Sequence, residues 1–194
     1  MTARAEAIHA AHGWLSQKPL FLDTETTGLK DWDEVCEVAV VDHDGAALMN
    51  TLIRPTRPIS RSAANVHGIT DAMVSRSPSF KDIWPALQER VTGRLVVIYN
   101  LDYDLPRLIQ SARANRIDTQ WLAQALTREP GWHCAMKLYA QFYGEWDRYR
   151  GQYRWQKLGD AAGQCRIQLP RDLHRAHADA DLARRVVMHM ANAK

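Results

Sequence analysis

The strongest limit on how this chain folds is a run of five consecutive apolar residues at positions 95–99. An unbroken run of strand length is typical of a central strand that is covered on both faces, as in α/β proteins. A second run, residues 35–42, is followed by turn residues 43–45 and then by residues 46–53, which predicts an antiparallel hairpin. These segments together predict one α/β domain with a mixed sheet.

Apolar residues at helical spacing predict helices around this sheet. Residues 3–15 carry Ala7, Ile8, Ala11 and Trp14 on one stripe, which predicts an N-terminal helix without a chemical role. We therefore divide the chain into a helical extension, residues 1–18, packed on a single domain, residues 19–194. The other predicted helices are short ones near 61–66 and 71–74, longer ones near 79–91, 102–115 and 175–192, and mixed helical segments up to Gly163.

The composition is that of an ordinary globular protein. Hydrophobic residues make up 46% and charged residues 24% of the 194 residues. No apolar run approaches the roughly 20 residues that span a bilayer, and polar residues interrupt any signal-peptide core near the N-terminus. Three widely spaced cysteines argue against a disulfide framework or a zinc finger. We expect a cytoplasmic protein that has no membrane partner.

The net charge of +3 is too small to identify a nucleic-acid partner, but the charge distribution is uneven. Seven lysines and arginines lie between Arg148 and Arg175, where Tyr149, Tyr153 and Trp155 alternate with Arg148, Arg150 and Arg154. Aromatic platforms with cations bind single strands without reading sequence. The alternatives are a solvated surface and aromatics that cover the core, and for Trp155 we expect the core.

The first acidic segment is Asp23-Thr-Glu-Thr-Thr-Gly28, after a short buried strand predicted at residues 19–22. Strand side chains alternate faces, so Asp23 and Glu25 project to the same side about 7 Å apart. They repel each other unless a proton or cation neutralises them, and oxygen ligands suit Mg²⁺ or Mn²⁺. Gly28 permits a tight turn. The alternative is a solvated turn, in which Asp, Thr and Gly are common.

The second acidic segment, Asn100-Leu-Asp-Tyr-Asp104, directly follows the apolar strand. Ligands of α/β proteins gather at the carboxyl ends of strands, which is where Asp104 is expected. As a structural alternative, Asn100 or Asp102 caps a helix and Asp104 interacts with the helix dipole. Spacing alone does not decide between Asp102 and Asp104 as the functional acid.

The third segment runs from His174 to Asp179. Asp179 lies in phase with an apolar helical stripe that continues through Leu182, Ala183, Val186, Val187 and Met190. An unpaired carboxylate on a buried stripe is costly, so Asp179 requires a cation or another partner. Asp181 and His177 lie off the stripe and are predicted to face solvent.

In this order, Asp23-x-Glu25-Thr-Thr-Gly, Asn100-x-x-x-Asp104 and His174-x-x-x-x-Asp179 resemble the three motifs of the DEDDh, or DnaQ-like, exonucleases. The resemblance extends from about Pro19 to Met190 and includes His67-Gly-Ile-Thr. Residues 54–60 and 132–138 are most similar to the exonuclease X and prophage-type branch. Tyr99 and Leu101 depart from the family, which often has His and Ala there. The resemblance implies a ribonuclease H-like fold, with a central mixed five-stranded sheet flanked by helices.

The resemblance also implies a metal-dependent 3′→5′ exonuclease that releases nucleoside 5′-monophosphates from nucleic-acid 3′ ends. It assigns two Mg²⁺ or Mn²⁺ ions, about 4 Å apart, to the four carboxylates. His174 would be the general base that activates water. The implied catalytic residues are Asp23, Glu25, Asp104, His174 and Asp179, of which the four acids are the metal ligands. The implied substrate contacts are Thr26, Leu29, His67, Asn100 and Tyr103, although core packing is an equal alternative for Leu29 and Tyr103.

Several alternatives remain open within this resemblance. We expect DNA rather than RNA as substrate, and a free-standing enzyme of DNA repair rather than a proofreading subunit, although a tethering role through a partner stays open. An RNA-trimming exoribonuclease of the same fold is one alternative. A catalytically silent nucleic-acid-binding module is another, although all five catalytic positions are filled. A homodimer is also open, because several members of the family are dimers.

Overall fold

The computed structural model describes residues 2–125 and 130–193. Its main sheet has the strand order β3-β2-β1-β4-β5. The strands are β1 (Leu20–Thr26), β2 (Val35–Val41), β3 (Ala47–Leu52), β4 (Val96–Ile98) and β5 (Trp132–Cys134). β2 is antiparallel to β1 and to β3, whereas β4 is parallel to β1 and to β5. The predicted mixed five-stranded sheet and its hairpin are therefore confirmed.

Helices cover both faces of this sheet. In chain order they are α1 (Ala3–Ser16), α2 (Arg61–His67), α3 (Asp71–Val74), α4 (Phe80–Val91), α5 (Leu101–Ala114), α6 (Gln120–Ala125), α7 (Ala135–Tyr143), α8 (Leu158–Gln164) and α9 (Ala176–Ala191). A second, two-stranded sheet consists of β6 (Trp146–Asp147) and β7 (Gln152–Tyr153). Among the described residues, none of these helices is both long and apolar enough to cross a bilayer.

Two apolar cores follow from the alternation of side chains in β1 and β4. Phe21 and Val97 are buried with residues of α1, α7, α8 and α9 on one face. Leu22 and Val96 are buried with residues of α4 and α5 on the other face. Burial on both faces explains why the sequence of β4 is apolar without interruption.

The N-terminal helix α1 is an integral layer of this structure. Ala7 and Ala11 are fully buried, and α1 packs against α7 and α9. The small side chains allow the helices to approach closely. The helix lies where it was predicted, whereas the description of residues 1–18 as an extension packed on a separate domain, residues 19–194, stays a prediction.

Two parts of the chain differ from the sequence prediction. Thr24, Glu25 and Thr26, which lie beyond the strand predicted at residues 19–22, continue β1 because they pair with β2. β5 and the β6–β7 hairpin lie where mixed helical segments were predicted. β5 has only three residues and includes a polar histidine, so it lacks the apolar run that marks β4. Residues 126–129 of the predicted helical region lie outside the described residues.

Candidate active site

Asp23 and Glu25 project from one face of β1. Because they are two residues apart in the strand, both side chains point to the face that α9 covers. β2 fixes the register of this segment, with Asp23 opposite Ala39 and Glu25 opposite Glu37. The two carboxylates therefore share one side of the sheet, as predicted.

Asp104 reaches the same place from the first turn of α5, beyond the carboxyl end of β4. Its side chain is only 3% exposed, and its Oδ1 accepts a hydrogen bond of 2.6 Å from Thr24 Oγ1. Asp102, the competing candidate, is 62% exposed and forms an ion pair with Lys137 at 2.7 Å. Asp104 is therefore the acid of this segment that joins the site. Asn100 occupies the N-cap position, but its side chain makes no capping hydrogen bond.

Asp179 lies in the first turn of α9, and His174 precedes the helix. The backbone N–H of His174 donates to Asp179 Oδ1 at 3.2 Å, and His174 Nδ1 lies 4.0 Å from Asp179 Oδ2. His174 has a φ of +67°, a conformation that costs energy for a residue with a Cβ. Its imidazole is 53% exposed. The segment thus presents the ring to solvent beside the buried acid.

Glu37 and Arg175 support this segment, and the sequence analysis did not single out either as functional. Glu37, only 2% exposed, accepts hydrogen bonds from the Arg175 guanidinium and, at 2.9 Å, from the backbone N–H of Ala176. The carboxylate thereby satisfies one of the open N–H groups at the start of α9. The signal in the sequence was an acid within the otherwise apolar strand Val35–Val41.

The site concentrates four acids, of which Asp104 is buried and Asp23, Glu25 and Asp179 are half-buried. Burial raises the pKa of Asp23 well above its ordinary range, and the charges of Asp104 and Asp179 raise it further. Burial also raises the pKa of Glu25, to about 9, with Asp179 as the next contributor. The pKa of Asp104 rises to about 7 because of burial, although the Thr24 hydrogen bond opposes this shift. Burial raises the pKa of Asp179 as well.

This donor set fits a divalent cation. Carboxylate oxygens of Asp23, Glu25 and Asp179 lie within 4.8 Å of one another. Oxygen-only ligands of this charge suit hard cations such as Mg²⁺ or Mn²⁺ rather than zinc. Asp104 stands beside this trio, close enough that its charge is the largest electrostatic contribution to the raised pKa of Asp23.

All five predicted catalytic residues line one open cleft of about 320 Å³. Tyr99, Asn100, Trp155 and Lys157 are among the other residues that line it. A lysine at the edge of an acidic cleft offers a positive charge to a phosphate that approaches the carboxylates. The cleft therefore combines a cluster of carboxylates that could hold a cation, an exposed imidazole and a cationic side chain.

The comparisons with known proteins agree with this geometry. The sequence matches the family model of the exonucleases, RNase_T, over residues 20–187. The uncharacterized exonuclease CP81 of Escherichia phage 186 is 38% identical over 181 residues, which cover 93% of this chain and 92% of that protein. This chain belongs to the exonuclease family. It is a hydrolase of phosphodiester bonds in nucleic acids.

Solved structures of other nucleases are similar to this exonuclease over most of its length. A structure of exonuclease X in complex with 5′-overhanging duplex DNA has a TM-score of 0.59 and 26% identity, and covers 90% of this chain and 93% of that one. The nuclease domain of 3′hExo, a DEDDh family member bound to rAMP, has a TM-score of 0.67 with 90% and 91% coverage. At 17% identity it shows the fold alone. The predicted DEDDh family and ribonuclease H-like fold are confirmed, and this family generally uses divalent metal ions.

A second pocket of the exonuclease adjoins the cleft and contains most of the predicted substrate contacts. It measures about 190 Å³ and is lined by residues that include Thr26, Leu29, Val66, His67 and Tyr103. Leu29 is 81% exposed, so its alternative role in core packing is excluded. Tyr103 Oη lies 2.7 Å from Thr26 Oγ1 and donates to the carbonyl of Gly28 at 3.1 Å.

The structure also gives His67 a supporting position. The backbone N–H of Ile69 donates to His67 Nδ1 at 3.0 Å, which leaves Nε2 to donate to the carbonyl of Thr26 at 3.1 Å. Both ring nitrogens are therefore engaged within the protein, and the ring is only 6% exposed. Through these bonds His67 fixes the Thr26 backbone, and it is one of the residues that line the pocket.

Gly28 lies so close to the side chain of Asp33 that a Cβ at this position would clash with it. A Cβ at this position would lie 2.5 Å from Asp33 Oδ2. Asp33 accepts hydrogen bonds from Thr27 Oγ1 at 2.9 Å and from the Lys30 N–H at 2.7 Å. This compact turn is the tight turn predicted from the sequence. It places Leu29 at the pocket.

Proposed function

We propose that this exonuclease removes nucleotides from the 3′ end of DNA and releases nucleoside 5′-monophosphates by two-metal-ion hydrolysis. The observation that carries the proposal is the convergence of Asp23, Glu25, Asp104 and Asp179 beside His174 in one cleft. These carboxylates would hold two Mg²⁺ or Mn²⁺ ions. When bound, the ions neutralise the phosphate and acidify the attacking water.

The side chains around the metal site have separate tasks in this proposal. His174 accepts the proton of the attacking water at Nε2, because its Nδ1 side faces Asp179. Lys157, at the edge of the cleft, stabilises the negative charge of the phosphate. Asp179 orients the His174 segment through the backbone hydrogen bond.

The adjoining pocket supports action at a chain end. Its small volume suits the last nucleoside rather than a strand that continues through it. Leu29 would pack against the terminal base with its exposed side chain, and the backbone near Thr26 would contact the 3′ hydroxyl. A site that accepts one terminal nucleoside favours stepwise removal over internal cleavage.

DNA is the preferred substrate in this proposal. Exonuclease X, which is 26% identical to this chain, is described in a complex with duplex DNA that has a 5′ overhang. The match covers 90% of this chain and 93% of that one, so the similarity extends over nearly all of both chains. A degradation assay with matched DNA and RNA oligonucleotides tests the preference directly.

The direction of attack is tested with a single-stranded DNA oligonucleotide that carries a label at its 5′ end. With Mg²⁺ we expect a ladder of labelled products that shorten one nucleotide at a time, together with nucleoside 5′-monophosphates. A chelator should stop the reaction. Immediate release of a labelled mononucleotide, or cuts at internal positions only, would contradict the proposal.

Matched pairs of variants test the assigned residues. Asp179→Asn should abolish degradation, whereas Asp181→Asn should keep it, because Asp181 pairs with Arg184 and Arg185 on the outer side of α9. His174→Ala should lower the rate by about 10²- to 10⁴-fold, the usual contribution of a general base. His177→Ala is its control on the same segment. Parental rates in Asp179→Asn or His174→Ala would show that the roles are wrongly assigned.

A further inference from the structure

Three concave surfaces follow one another, and each shares lining residues with the next. The pocket proposed for the terminal nucleoside shares Glu25 and Tyr103 with the catalytic cleft. On the other side, the cleft shares Met136 and Trp155 with a third surface, a groove of about 410 Å³ between α7, the start of α5 and the β6–β7 hairpin. The cleft therefore separates the terminal pocket from this groove.

A reaction at the 3′ end places the rest of the strand on the groove side. The enzyme would cut between the last two nucleotides, and the last nucleoside would occupy the pocket that Leu29 borders. The remaining strand must then leave the cleft in another direction. The groove is continuous with the cleft through Met136 and Trp155, so it offers the strand a direct path.

The chemistry of the groove suits single-stranded nucleic acid. Tyr153 and Trp155 line it, and Trp155 is 48% exposed, so the prediction that Trp155 covers the core is wrong. Aromatic faces bind bases without regard to sequence. Lys137 lies on the opposite wall and neutralises Asp102 across a distance of 2.7 Å. Lys157 follows at the junction with the cleft.

The hairpin that carries these aromatic residues is held in place. The Asp147 carboxylate accepts hydrogen bonds from the backbone N–H groups of Tyr149 and Arg150 in the turn. Arg154 forms an ion pair with Glu145 at 2.9 Å. Tyr99 Oη, at the end of the central sheet, donates to the carbonyl of Gln156 at 3.0 Å. Because the hairpin is already ordered, binding of a strand to its aromatic residues would cost little conformational entropy.

We propose that this groove binds the nucleotides upstream of the scissile phosphate in the strand that is being degraded. The bases stack on Tyr153 and Trp155, and Lys137, whose ammonium has more N–H groups than Asp102 engages, donates a hydrogen bond to a backbone phosphate. Tyr149, which is fully exposed at the tip of the hairpin and is not among the groove residues, takes no part. The proposal rests on the proposed function and extends it to the upstream strand.

The test is a series of DNA substrates from a dinucleotide to a twelve-nucleotide strand. For the parent enzyme, kcat/KM should rise with length until the groove is filled. Tyr153→Leu keeps apolar bulk but removes the aromatic face, and should lower kcat/KM for the longest strand about tenfold. The same variant should cut the dinucleotide at the parental rate. Tyr149→Ala is the matched aromatic control and should behave as the parent on every length.

A second variant lies on α7, outside the hairpin, so that its effect cannot come from local misfolding of the hairpin. Lys137→Glu, on the surface of α7, should weaken binding of the long strand. It should also reduce the slope of log affinity against log salt by about 0.7 for each lost phosphate contact. Thermal melting of each variant shows whether it is folded.

The outcomes separate this proposal from the proposed function. No 3′ degradation of any oligonucleotide by the parent would contradict the proposed function itself. If the parent degraded all strands with a kcat/KM that does not depend on their length, the binding role of the groove would be contradicted and the proposed function would stand. An equal decrease of kcat/KM for the longest strand in Tyr149→Ala and Tyr153→Leu would also contradict the role of the groove. Binding would then depend on the tip of the hairpin rather than on the groove.

Discussion

At the scale of single residues, Thr24 connects two of the acidic segments. The alternation of β1 places Thr24 on the face opposite to Asp23 and Glu25, toward α5. There its hydroxyl donates to Asp104 Oδ1 at 2.6 Å, and the two side chains are only 6% and 3% exposed. The bond orients a buried carboxylate and opposes the rise in its pKa.

Thr24→Val tests this bond, because valine has nearly the same shape as threonine but donates no hydrogen bond. We expect metal affinity or kcat/KM to fall about 10- to 100-fold, as is typical when a partner of a metal ligand is lost. Thr24→Ser keeps the hydroxyl and should keep most of the activity. The measurement is a titration of activity against Mg²⁺. A Thr24→Val curve that coincides with the parent's would contradict the assignment.

Residue types predicted the acids of the site, but the side chains that support them depend on pairing. Asp23, Glu25 and Asp179 stand out because charged groups interrupt apolar patterns, and the structure brings them together. The role of Glu37 can be recognised only from the register of β1 with β2, and the role of Thr24 only from its hydrogen bond to Asp104 on α5. The choice between Asp102 and Asp104 likewise depended on the direction of each side chain from α5, since Lys137 holds Asp102 outside the cleft.

At the scale of elements, the start of α9 is attached to β2 through one buried carboxylate. Glu37 lies opposite Glu25 in the sheet, and two acids in that arrangement repel each other. Arg175 offsets this repulsion because its guanidinium binds Glu37. His174 is the residue before Arg175, so the same contact fixes the position of the proposed general base.

Glu37→Gln should therefore affect both stability and catalysis. It leaves Arg175 without its charge partner, and since that side chain is 36% exposed we expect a loss of about 1–3 kcal/mol in the free energy of unfolding. The rate should fall mainly in kcat, because the His174 segment loses its anchor. Urea unfolding and steady-state kinetics measure the two effects.

The control removes an exposed ion pair of the β6–β7 hairpin. Glu145→Gln breaks the contact with Arg154, in which both side chains are well exposed, and should cost less than about 1 kcal/mol. Equal destabilisation by the two variants would contradict the anchoring role of Glu37.

Elements with long periodic patterns could be predicted from the sequence, and short ones could not. The boundaries of α1, α4, α5 and α9 agree with the prediction to within one or two residues. β5 and β7 contain three and two residues, too few for any alternation to appear. They form because β4 and β6 offer open strand edges, which is a property of the assembled fold.

At the scale of the whole molecule, the fold holds several acids close together, and their mutual repulsion when ionised lowers the free energy of unfolding. Asp104 and Glu25 have pKa values of about 7 and about 9, against ordinary values of 3.8 and 4.5. Below about pH 3 both groups are protonated in the folded and unfolded chains alike. As the pH rises, the unfolded chain releases protons that the folded chain still holds, which favours unfolding.

The chelated enzyme should therefore lose stability as the pH rises from about 4 toward 9, the interval between the ordinary pKa values of Asp104 and Glu25 and their raised values. Millimolar Mg²⁺ should raise the Tm and weaken this dependence, because a cation bound only by the folded state replaces the protons. Asp104→Asn, which cannot ionise, should flatten the dependence in the chelated enzyme. Melting curves across this pH range, with chelator and with Mg²⁺, measure all three effects. A Tm of the chelated enzyme that rises over this range would contradict the idea that the acids are crowded in the folded state.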